Sequence, residues 1–392
     1  MCVYSIQNPG GLMMNLSKNV SAMPVSKTLE INAIASNLKK NGVDVVNLTA
    51  GEPDFPTPEP IVEAAIEAMK KNLTKYTDSS GIPELREKIA YHISKKYCLN
   101  CSADQIVVSN GGKQAIFNTL AAVLSEGDEV IIIDPCWVSY EPMVLLLSAK
   151  AIHVKAKIED GFSPKIDEIE KAISSKTKAI IINTPNNPTG AVYSEETLSK
   201  IYELAKRHDL LIISDEVYET LTYYQEHISM LKISKGDRTV LINGFSKSHS
   251  MTGWRIGYLM APVQIAKAAG KVQAHITSNI NTITQYAALK AFDVDVSYMR
   301  KRFKERRELV CSLLSEIGVK YFEPKGAFYV MIDVSEFGKN DIDFCKELLN
   351  DYHVALVPGS AFNAPGFARL SFATSEETLK KGIERIKKFA GR

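Results

Sequence analysis

Between residues 105 and 260, short runs of β-branched and other apolar residues alternate with stretches whose apolar positions recur every three or four residues. The first pattern is typical of buried strands, and the second of helices that bury one face. Strands are predicted at 105–109, 129–133, 179–183, 210–214, 239–243 and 255–260, and helices at 61–69, 115–124 and 197–208. This alternation indicates an α/β fold with a mostly parallel sheet covered by helices.

The segment from about residue 300 to the C-terminus has a different pattern. A charged helix is predicted over 300–314, followed by short strands at 327–332 and 369–372 and a closing helix rich in Lys and Glu. This mixture predicts a second, smaller α+β domain. The predicted organisation is an N-terminal arm (1–28), a small domain formed by 29–58 together with 300–392, and a large α/β domain (59–299).

Composition and charge narrow the possible functions. The chain has 392 residues, 45% of them hydrophobic, which is enough for a substantial core. Its 47 basic and 45 acidic side chains create no field suited to nucleic acid or an anionic membrane surface. No apolar run approaches the roughly 20 residues of a membrane span, no secretion signal is apparent, and six scattered cysteines do not resemble a disulfide framework. A cytoplasmic protein that acts on small molecules is therefore expected, with Met13 or Met14 as a possible alternative start.

Polar residues follow several predicted strands directly. Ligands of open parallel sheets bind at the carboxyl ends of the strands, so these positions are candidates for a site. They comprise Asn110-Gly111-Gly112-Lys113, Asn187-Pro188-Thr189-Gly190, Asp215 with Tyr218, and Lys247 with Arg255. A helix that begins after two glycines suits a phosphate. Pyridoxal phosphate needs such a phosphate site, a lysine amine for its aldehyde and a carboxylate for its ring nitrogen.

The segment around Lys247 resembles the cofactor attachment site of one family. Residues 244–257, GFSKSHSMTGWRIG, fit that pattern at every constrained position. On these residues the chain resembles the fold-type I, pyridoxal-phosphate-dependent aminotransferases of class I and II, and the resemblance extends from Ser26 to nearly the C-terminus. It implies a homodimer with active sites shared across the interface.

The resemblance assigns roles to the residues at the strand ends. It implies that Lys247 anchors the cofactor covalently and then carries a proton between substrate and cofactor. Asp215 is expected to pair with the ring nitrogen, while Asn187 and Tyr218 hydrogen-bond the phenolic oxygen. Arg255 is expected to hold the phosphate.

Further roles follow from the same resemblance. The backbone around Gly112 and Lys113 is expected to contribute to phosphate binding, and Tyr76 to reach the phosphate from the neighbouring subunit. Trp137 is expected to lie against the cofactor ring. Arg369 is expected to bind the substrate α-carboxylate as a two-pronged fork, with help from the backbone of Gly51.

Substrate choice depends on Lys113. The sequence Gly111-Gly112-Lys113-Gln114-Ala115 resembles the bacterial and archaeal aspartate aminotransferases, in which a lysine here meets the side-chain carboxylate. Ser26 and Thr28 resemble residues that line the same pocket in that branch. The expected reaction moves the amino group of aspartate or glutamate to a 2-oxo acid by a ping-pong mechanism.

Several alternatives remain open from the residues alone. Aromatic amino acids or prephenate are alternative substrates, because an ammonium binds a carboxylate as a point charge. A β-lyase on the same fold and an amino-acid sensor that regulates transcription are rival functions. Taken singly, Asp215 could cap a helix, 187–190 could be a turn, Arg255 and Arg369 could form structural ion pairs, and Trp137 and Tyr76 could be core or interface residues. The pair Cys98 and Cys101 has the spacing of a metal or redox half-site without a second half.

Overall fold

The computed structural model of the chain describes residues 17–23 and 27–391. The helices are α1 (Lys18–Ala22), α2 (Lys27–Lys40), α3 (Glu59–Lys70), α4 (Pro83–Tyr97), α5 (Gly112–Val123), α6 (Tyr140–Leu146), α7 (Ile166–Lys171), α8 (Glu195–Arg207), α9 (Met230–Ser234), α10 (Val263–Ile276), α11 (Thr282–Ala291), α12 (Ser297–Glu316), α13 (Asp341–Tyr352) and α14 (Glu376–Phe389). The strands are β1 (Val46–Asn47), β2 (Ile106–Ser109), β3 (Glu129–Asp134), β4 (Lys150–Lys155), β5 (Thr177–Asn183), β6 (Leu211–Asp215), β7 (Thr239–Gly244), β8 (Gly257–Met260), β9 (Tyr321–Phe322), β10 (Tyr329–Asp333), β11 (Val354–Ala355), β12 (Val357–Pro358) and β13 (Phe367–Ser371). Within these ranges no helix combines the length and apolar character needed to span a bilayer.

The central sheet has seven strands in the order β2-β8-β7-β6-β5-β3-β4. Neighbours from β7 to β4 pair in parallel, whereas β8 runs antiparallel to both β2 and β7. The predicted mostly parallel sheet is confirmed, and all six predicted strands are present with limits within two residues of the prediction. The seventh strand, β4, was not predicted. It lies at the sheet edge and is mostly half-buried, so its sequence KAIHVK lacks a continuous apolar run.

Helices cover both faces of this sheet, which explains why β3, β5 and β6 read as continuous apolar runs. Successive side chains of a strand point to opposite faces. Ile131 belongs to the core beneath α8, where it packs with Leu198, whereas Ile132 belongs to the core beneath α5, where it packs with Ile116. The two cores thus fix the strand ends rigidly in relation to each other.

Two smaller sheets are formed by the C-terminal region. Strands β12, β13, β10 and β9 make an antiparallel sheet, and β1 pairs in parallel with β11, with Val46 opposite Val354. Val46 and Asn47 therefore pair with the C-terminal region. The predicted domain limits stay a prediction, and most of the predicted arm (1–28) lies outside the described residues.

Candidate active site

The residues singled out at the strand ends meet along one edge of the central sheet. Strands β2, β5, β6 and β7 point the same way, so their carboxyl ends lie on the same side. Asp215 ends β6, and Lys247 follows β7. Because β8 runs in the opposite direction, its starting end lies at this edge too, which brings Arg255 to the same crevice.

Asp215 lies at the bottom of the crevice and is buried. The hydroxyl of Tyr140 donates a hydrogen bond of 2.6 Å to its Oδ2, and the backbone N–H of Val217 lies 3.4 Å from Oδ1. Burial raises the pKa of Asp215 to about 6, against the opposing effect of the Tyr140 hydrogen bond. The contact to Val217 is too long for a good hydrogen bond, so Asp215 does not act mainly as a helix cap.

Lys247 projects toward the loop that follows β1. Its Nζ donates a hydrogen bond of 2.6 Å to the backbone oxygen of Gly51. Loss of hydration lowers the pKa of Lys247 to about 8, while the Glu52 carboxylate acts in the opposite direction and the Arg255 guanidinium lowers it further. A larger share of this amine is therefore unprotonated near neutral pH than in an ordinary lysine.

The start of α5 and the side chain of Arg255 form a cradle. Arg255 donates hydrogen bonds to the backbone oxygens of Asn110 (3.1 Å) and Thr252 (2.8 Å). Gly111 has a φ of +79°, and a Cβ placed there would lie 2.8 Å from Nη2 of Arg255. Free N–H groups at a helix start next to a guanidinium are the donor set that binds phosphate.

Arg369 on β13 is buried beneath this crevice. It donates hydrogen bonds to Oδ1 of Asn187 (2.8 Å) and to the backbone oxygen of Thr49 (2.9 Å), and its Nε has no partner. Its guanidinium lies over the rings of Tyr329 and Phe362, at 4.4 and 4.8 Å. Within residues 17–23 and 27–391 it has no acidic partner. A buried guanidinium without a counter-charge fits an anionic ligand.

Lys113 lies on an aromatic wall of the crevice. Its Nζ is 4.9 Å from the centre of the Trp137 ring, and the Trp137 ring meets the edge of Tyr140 at 5.4 Å. Burial and the neighbouring Arg255 charge lower the pKa of Lys113. The wall thus links Lys113 through Trp137 and Tyr140 to Asp215.

Other predicted residues are placed differently. Tyr218 is buried and shares a hydrogen bond of 2.9 Å with the hydroxyl of Tyr329. Tyr76 is 90% exposed on the surface of its own chain. Ser26 and the side chain of Thr28 lie outside the described residues, so their expected place in the pocket stays a prediction.

Three aromatic residues of the crevice were not predicted, namely Tyr140, Tyr329 and Phe362. Tyr140 follows Trp137 by three residues, so both can face one side of a helical turn, and this spacing was the available signal. Tyr329 and Phe362 come from the C-terminal region. Nothing in their local sequence indicates that they meet Arg369.

The paired cysteines and the histidine near Lys247 lie apart from this chemistry. Cys98 is exposed, Cys101 is half-buried, and neither belongs to a group of metal-ligating side chains in the described parts of the chain. His249 is hydrogen-bonded to Ser248, and burial lowers its pKa to about 4. It acts as a local hydrogen-bonding residue.

Comparison with known proteins gives consistent results. The family model for aminotransferase class I and II matches residues 43–386. An aspartate aminotransferase from Thermotoga maritima is 52% identical over 95% of this chain and 99% of its own. An aspartate/prephenate aminotransferase from Thermus thermophilus is 42% identical over 97% of this chain and all of its own.

Solved structures agree with the sequence relatives. The Thermotoga maritima aspartate aminotransferase superposes with a TM-score of 0.94, covering 96% of this chain and 100% of its own. The Thermus thermophilus aspartate aminotransferase with maleate has a TM-score of 0.92 at 42% identity, covering the same shares. Family membership implies pyridoxal phosphate, and the Arg255 cradle and the unpaired Nε of Arg369 fit that cofactor and an anionic substrate. The chain belongs to the aminotransferase class I and II family.

Proposed function

We propose that this chain is an aspartate aminotransferase, which transfers the amino group of aspartate or glutamate to 2-oxoglutarate or oxaloacetate with the help of pyridoxal phosphate. The observation that carries the proposal is the presence of two cationic groups in one crevice. Arg369 is buried with no acidic partner among residues 17–23 and 27–391, and Lys113 lies separately on the Trp137 ring. A dicarboxylic amino acid supplies one carboxylate to each.

Residues of the crevice account for every part of the cofactor. When bound, pyridoxal phosphate supplies an aldehyde for covalent attachment and a ring that accepts electrons. Lys247 provides the attaching amine, and the buried Asp215 provides the carboxylate that holds a proton on the ring nitrogen. Arg255 and the N–H groups of Gly112 and Lys113 bind the phosphate. Tyr218 and Asn187 donate hydrogen bonds toward the phenolic oxygen.

Lys247 also has the properties of a proton carrier. A general base works best when its pKa lies near the working pH, and burial lowers the pKa of Lys247 to about 8. We assign to its Nζ the removal of the substrate Cα proton, which the lysine then holds as an ammonium. Asp215 and Tyr140 remain in place while this occurs, because both are fixed in the core beneath the crevice.

Arg369 and Lys113 orient the substrate at its two ends. The hydrogen bond that Arg369 donates to Oδ1 of Asn187 holds the guanidinium in position to bind the α-carboxylate. Lys113 meets the distal carboxylate as a point charge. Maleate, the ligand in the Thermus thermophilus structure, is a dicarboxylate, which supports this assignment.

A second substrate class is favoured by the aromatic wall. Trp137 presents its ring beside Lys113, so an aromatic or prephenate side chain can pack there while Lys113 keeps its cation–π contact. The Thermus thermophilus relative is named for both aspartate and prephenate. We propose transamination of prephenate-type substrates as a second activity of the same crevice.

The proposal includes a homodimer. Tyr76 lies on the surface next to a cavity lined by Lys75 and residues 279–283, and it is 90% exposed in the single chain. A second copy that covers this surface can receive Tyr76 at its own phosphate cradle. Size-exclusion chromatography with light scattering tests this part of the proposal.

A panel of amino donors tests the main proposal. Aspartate, tyrosine, phenylalanine and alanine are each assayed with 2-oxoglutarate, glutamate is assayed with oxaloacetate, and kcat/KM is compared. We expect aspartate and glutamate to exceed alanine by about 10-fold or more, since a hydrogen bond to a charged group contributes about 1.5–3 kcal/mol. Equal values for alanine and aspartate would reject the dicarboxylate assignment. Release of pyruvate or ammonia without an oxo acid would instead indicate a β-lyase.

A further inference from the structure

A second cluster of reactive side chains lies where β3 ends, on the other side of the Trp137 segment. Asp134 ends β3, Cys136 precedes Trp137, and His153 lies on the neighbouring strand β4. Their ligand atoms all lie within 4.8 Å of one another. We propose that Asp134, Cys136 and His153 form a binding site for a divalent transition metal ion, with Zn²⁺ as the best chemical match.

The donor types and their separations support this assignment. Zinc sites in proteins are built from thiolate, imidazole and carboxylate ligands in tetrahedral geometry. With zinc–ligand bonds of about 2.0–2.3 Å, donors of one ion lie roughly 3.3–3.8 Å apart. Nδ1 of His153 and Oδ1 of Asp134 are already 3.0 Å apart, and a small adjustment of the Cys136 thiol completes three ligands. On binding, the thiol releases its proton to solvent.

Two neighbours complete the surroundings that a metal ion needs. With Nδ1 of His153 on the metal, the opposite nitrogen, Nε2, faces Oε1 of Glu141 at 3.8 Å. A carboxylate behind a ligating histidine fixes the ring and increases its basicity. The side-chain amide of Asn363 lies 3.2 Å from Asp134 and 3.1 Å from His153, and a half-turn of this amide presents its oxygen as a fourth ligand.

The cluster has an access route from solvent. A cavity of about 330 Å³ is lined by Asp134, Pro135 and Asn363 and opens to solvent. Asp134 and Cys136 are buried, whereas His153 is partly exposed. Asp134 pairs with His153 at 3.0 Å, and Lys155 and Lys157 line the same cavity. A metal ion would replace this direct contact by binding both side chains.

A different cluster, formed by Glu216, Glu219 and His227, has its carboxylates paired within the chain. Glu216 already accepts hydrogen bonds from Ser214 and from the backbone N–H of Met230, and it pairs with His227. Glu219 pairs with Lys96. The charges there are balanced by the chain itself, and the cluster contains no thiol.

Direct metal binding tests the proposal. The holoenzyme is washed with a chelator and titrated with Zn²⁺ and separately with Co²⁺, without amino-acid substrates, which themselves bind these metals. We expect one ion per chain, visible bands of tetrahedral Co²⁺ with a thiolate charge-transfer band, and an increase of the melting temperature that depends on Zn²⁺ concentration. Less than half an ion per chain would overturn the proposal.

Variants distinguish this cluster from other metal-binding groups. Cys136→Ser should remove the thiolate band and weaken Zn²⁺ binding at least 10-fold, and Glu141→Gln should weaken it by about 10–100-fold. Cys345→Ser changes another buried cysteine and should leave binding unchanged. If Cys136→Ser does not fold, His153→Gln on the sheet edge replaces it with the same expected loss. Wild-type binding by the His153 variant would overturn the assignment.

Discussion

Tyr140 donates a hydrogen bond of 2.6 Å to Oδ2 of Asp215, and both residues are buried. The phenol stabilises the charged carboxylate in a place where burial raises its pKa to about 6. The ring of Tyr140 also packs against the ring of Trp137, nearly at a right angle. One side chain thus supports both the acidic partner of the cofactor and the aromatic wall.

Removing this hydroxyl should shift the pH dependence of cofactor binding. In Tyr140→Phe, the pKa of Asp215 rises further, because the lost hydrogen bond favoured the charged form. The carboxylate is then protonated at a higher pH, so affinity for pyridoxal phosphate should decline at a higher pH than in the wild type. Titrating cofactor affinity between pH 5 and about 8 measures this shift. An unchanged midpoint would contradict the role of Tyr140.

Replacement of Lys247 tests the covalent attachment. Lys247→Ala should leave no borohydride-reducible adduct with pyridoxal phosphate, and turnover should fall by at least about 10²–10⁴-fold, the range that one positioned proton carrier contributes. Lys200→Ala removes an exposed lysine on α8 and serves as the control for surface charge. Wild-type turnover by the Lys247 variant would end the mechanistic proposal.

Replacement of Lys113 tests substrate selection. In Lys113→Ala, kcat/KM for aspartate and glutamate should fall by about 10–150-fold, which corresponds to a charged hydrogen bond of about 1.5–3 kcal/mol. The values for tyrosine and phenylalanine should change much less, because these substrates contact the Trp137 ring. Steady-state kinetics with all four donors provides the internal control. Equal losses would remove Lys113 from specificity and assign it to the phosphate cradle.

Gly111 and Gly127 have similar φ angles, but only Gly111 lies against another side chain. Comparing them distinguishes the effect of backbone strain from the effect of that contact. Gly111 (φ +79°) faces Nη2 of Arg255, whereas Gly127 (φ +83°) has no atom within 4 Å of a Cβ built there. Gly127→Ala should lower the free energy of unfolding by about 1–2 kcal/mol and leave cofactor affinity unchanged. Gly111→Ala should cost more, because its ψ of 170° lies in a region that essentially only glycine adopts, and it should also weaken pyridoxal phosphate binding by displacing Arg255. Equilibrium dialysis measures the affinities, and equal affinities in both variants would contradict the cradle.

The loop that carries Gly51 is held by an ion pair. Arg306 forms a two-pronged contact with Asp54 at 2.6 and 2.9 Å, with its guanidinium over Phe55 and Phe303. Asp54→Asn should lower the free energy of unfolding by about 1–2 kcal/mol, the lower part of the usual range, because the Asp54 side chain is 32% exposed. It should also raise KM, because Gly51 lies on the same loop.

A matched variant controls for the general loss of an arginine partner. Arg307, the next residue on α12, pairs with Glu323, which follows β9. Glu323→Gln should leave KM unchanged. Equal KM values for the Asp54 and Glu323 variants would contradict the link between Asp54 and substrate binding.

The elements that sequence patterns predicted well are those with uniform burial. Strands such as β5 and β6 are covered on both faces, so their apolar runs are continuous and easily found. Strand β4 lies at the sheet edge with alternating Lys, Ile and His, and its pattern is therefore ambiguous. Exposure explains the miss of β4, whereas the buried strands β11 and β12, of two residues each, were too short to give a pattern.

The site was predictable where a residue follows a strand. Asp215 ends β6 and Lys247 lies three residues beyond β7, and the direction of parallel strands places such residues together. Tyr140 reaches Asp215 across 75 positions of the chain, and Tyr329 reaches Tyr218 across 111. Contacts between residues so far apart in the sequence depend on how the helices and strands pack. Local sequence patterns therefore do not predict them.

The reversed direction of β8 has a further consequence for the crevice. Lys247 and Arg255 both lie on the single connection between β7 and β8, whose ends are paired as Gly244 with Gly257. The proposed cofactor-attachment residue and the proposed phosphate-binding residue therefore lie on one short backbone segment. Strand pairing holds both ends of this segment. The number of residues in this connection limits how far apart Lys247 and Arg255 can lie. That limit does not depend on the position of the sheets that contain β1 and β13.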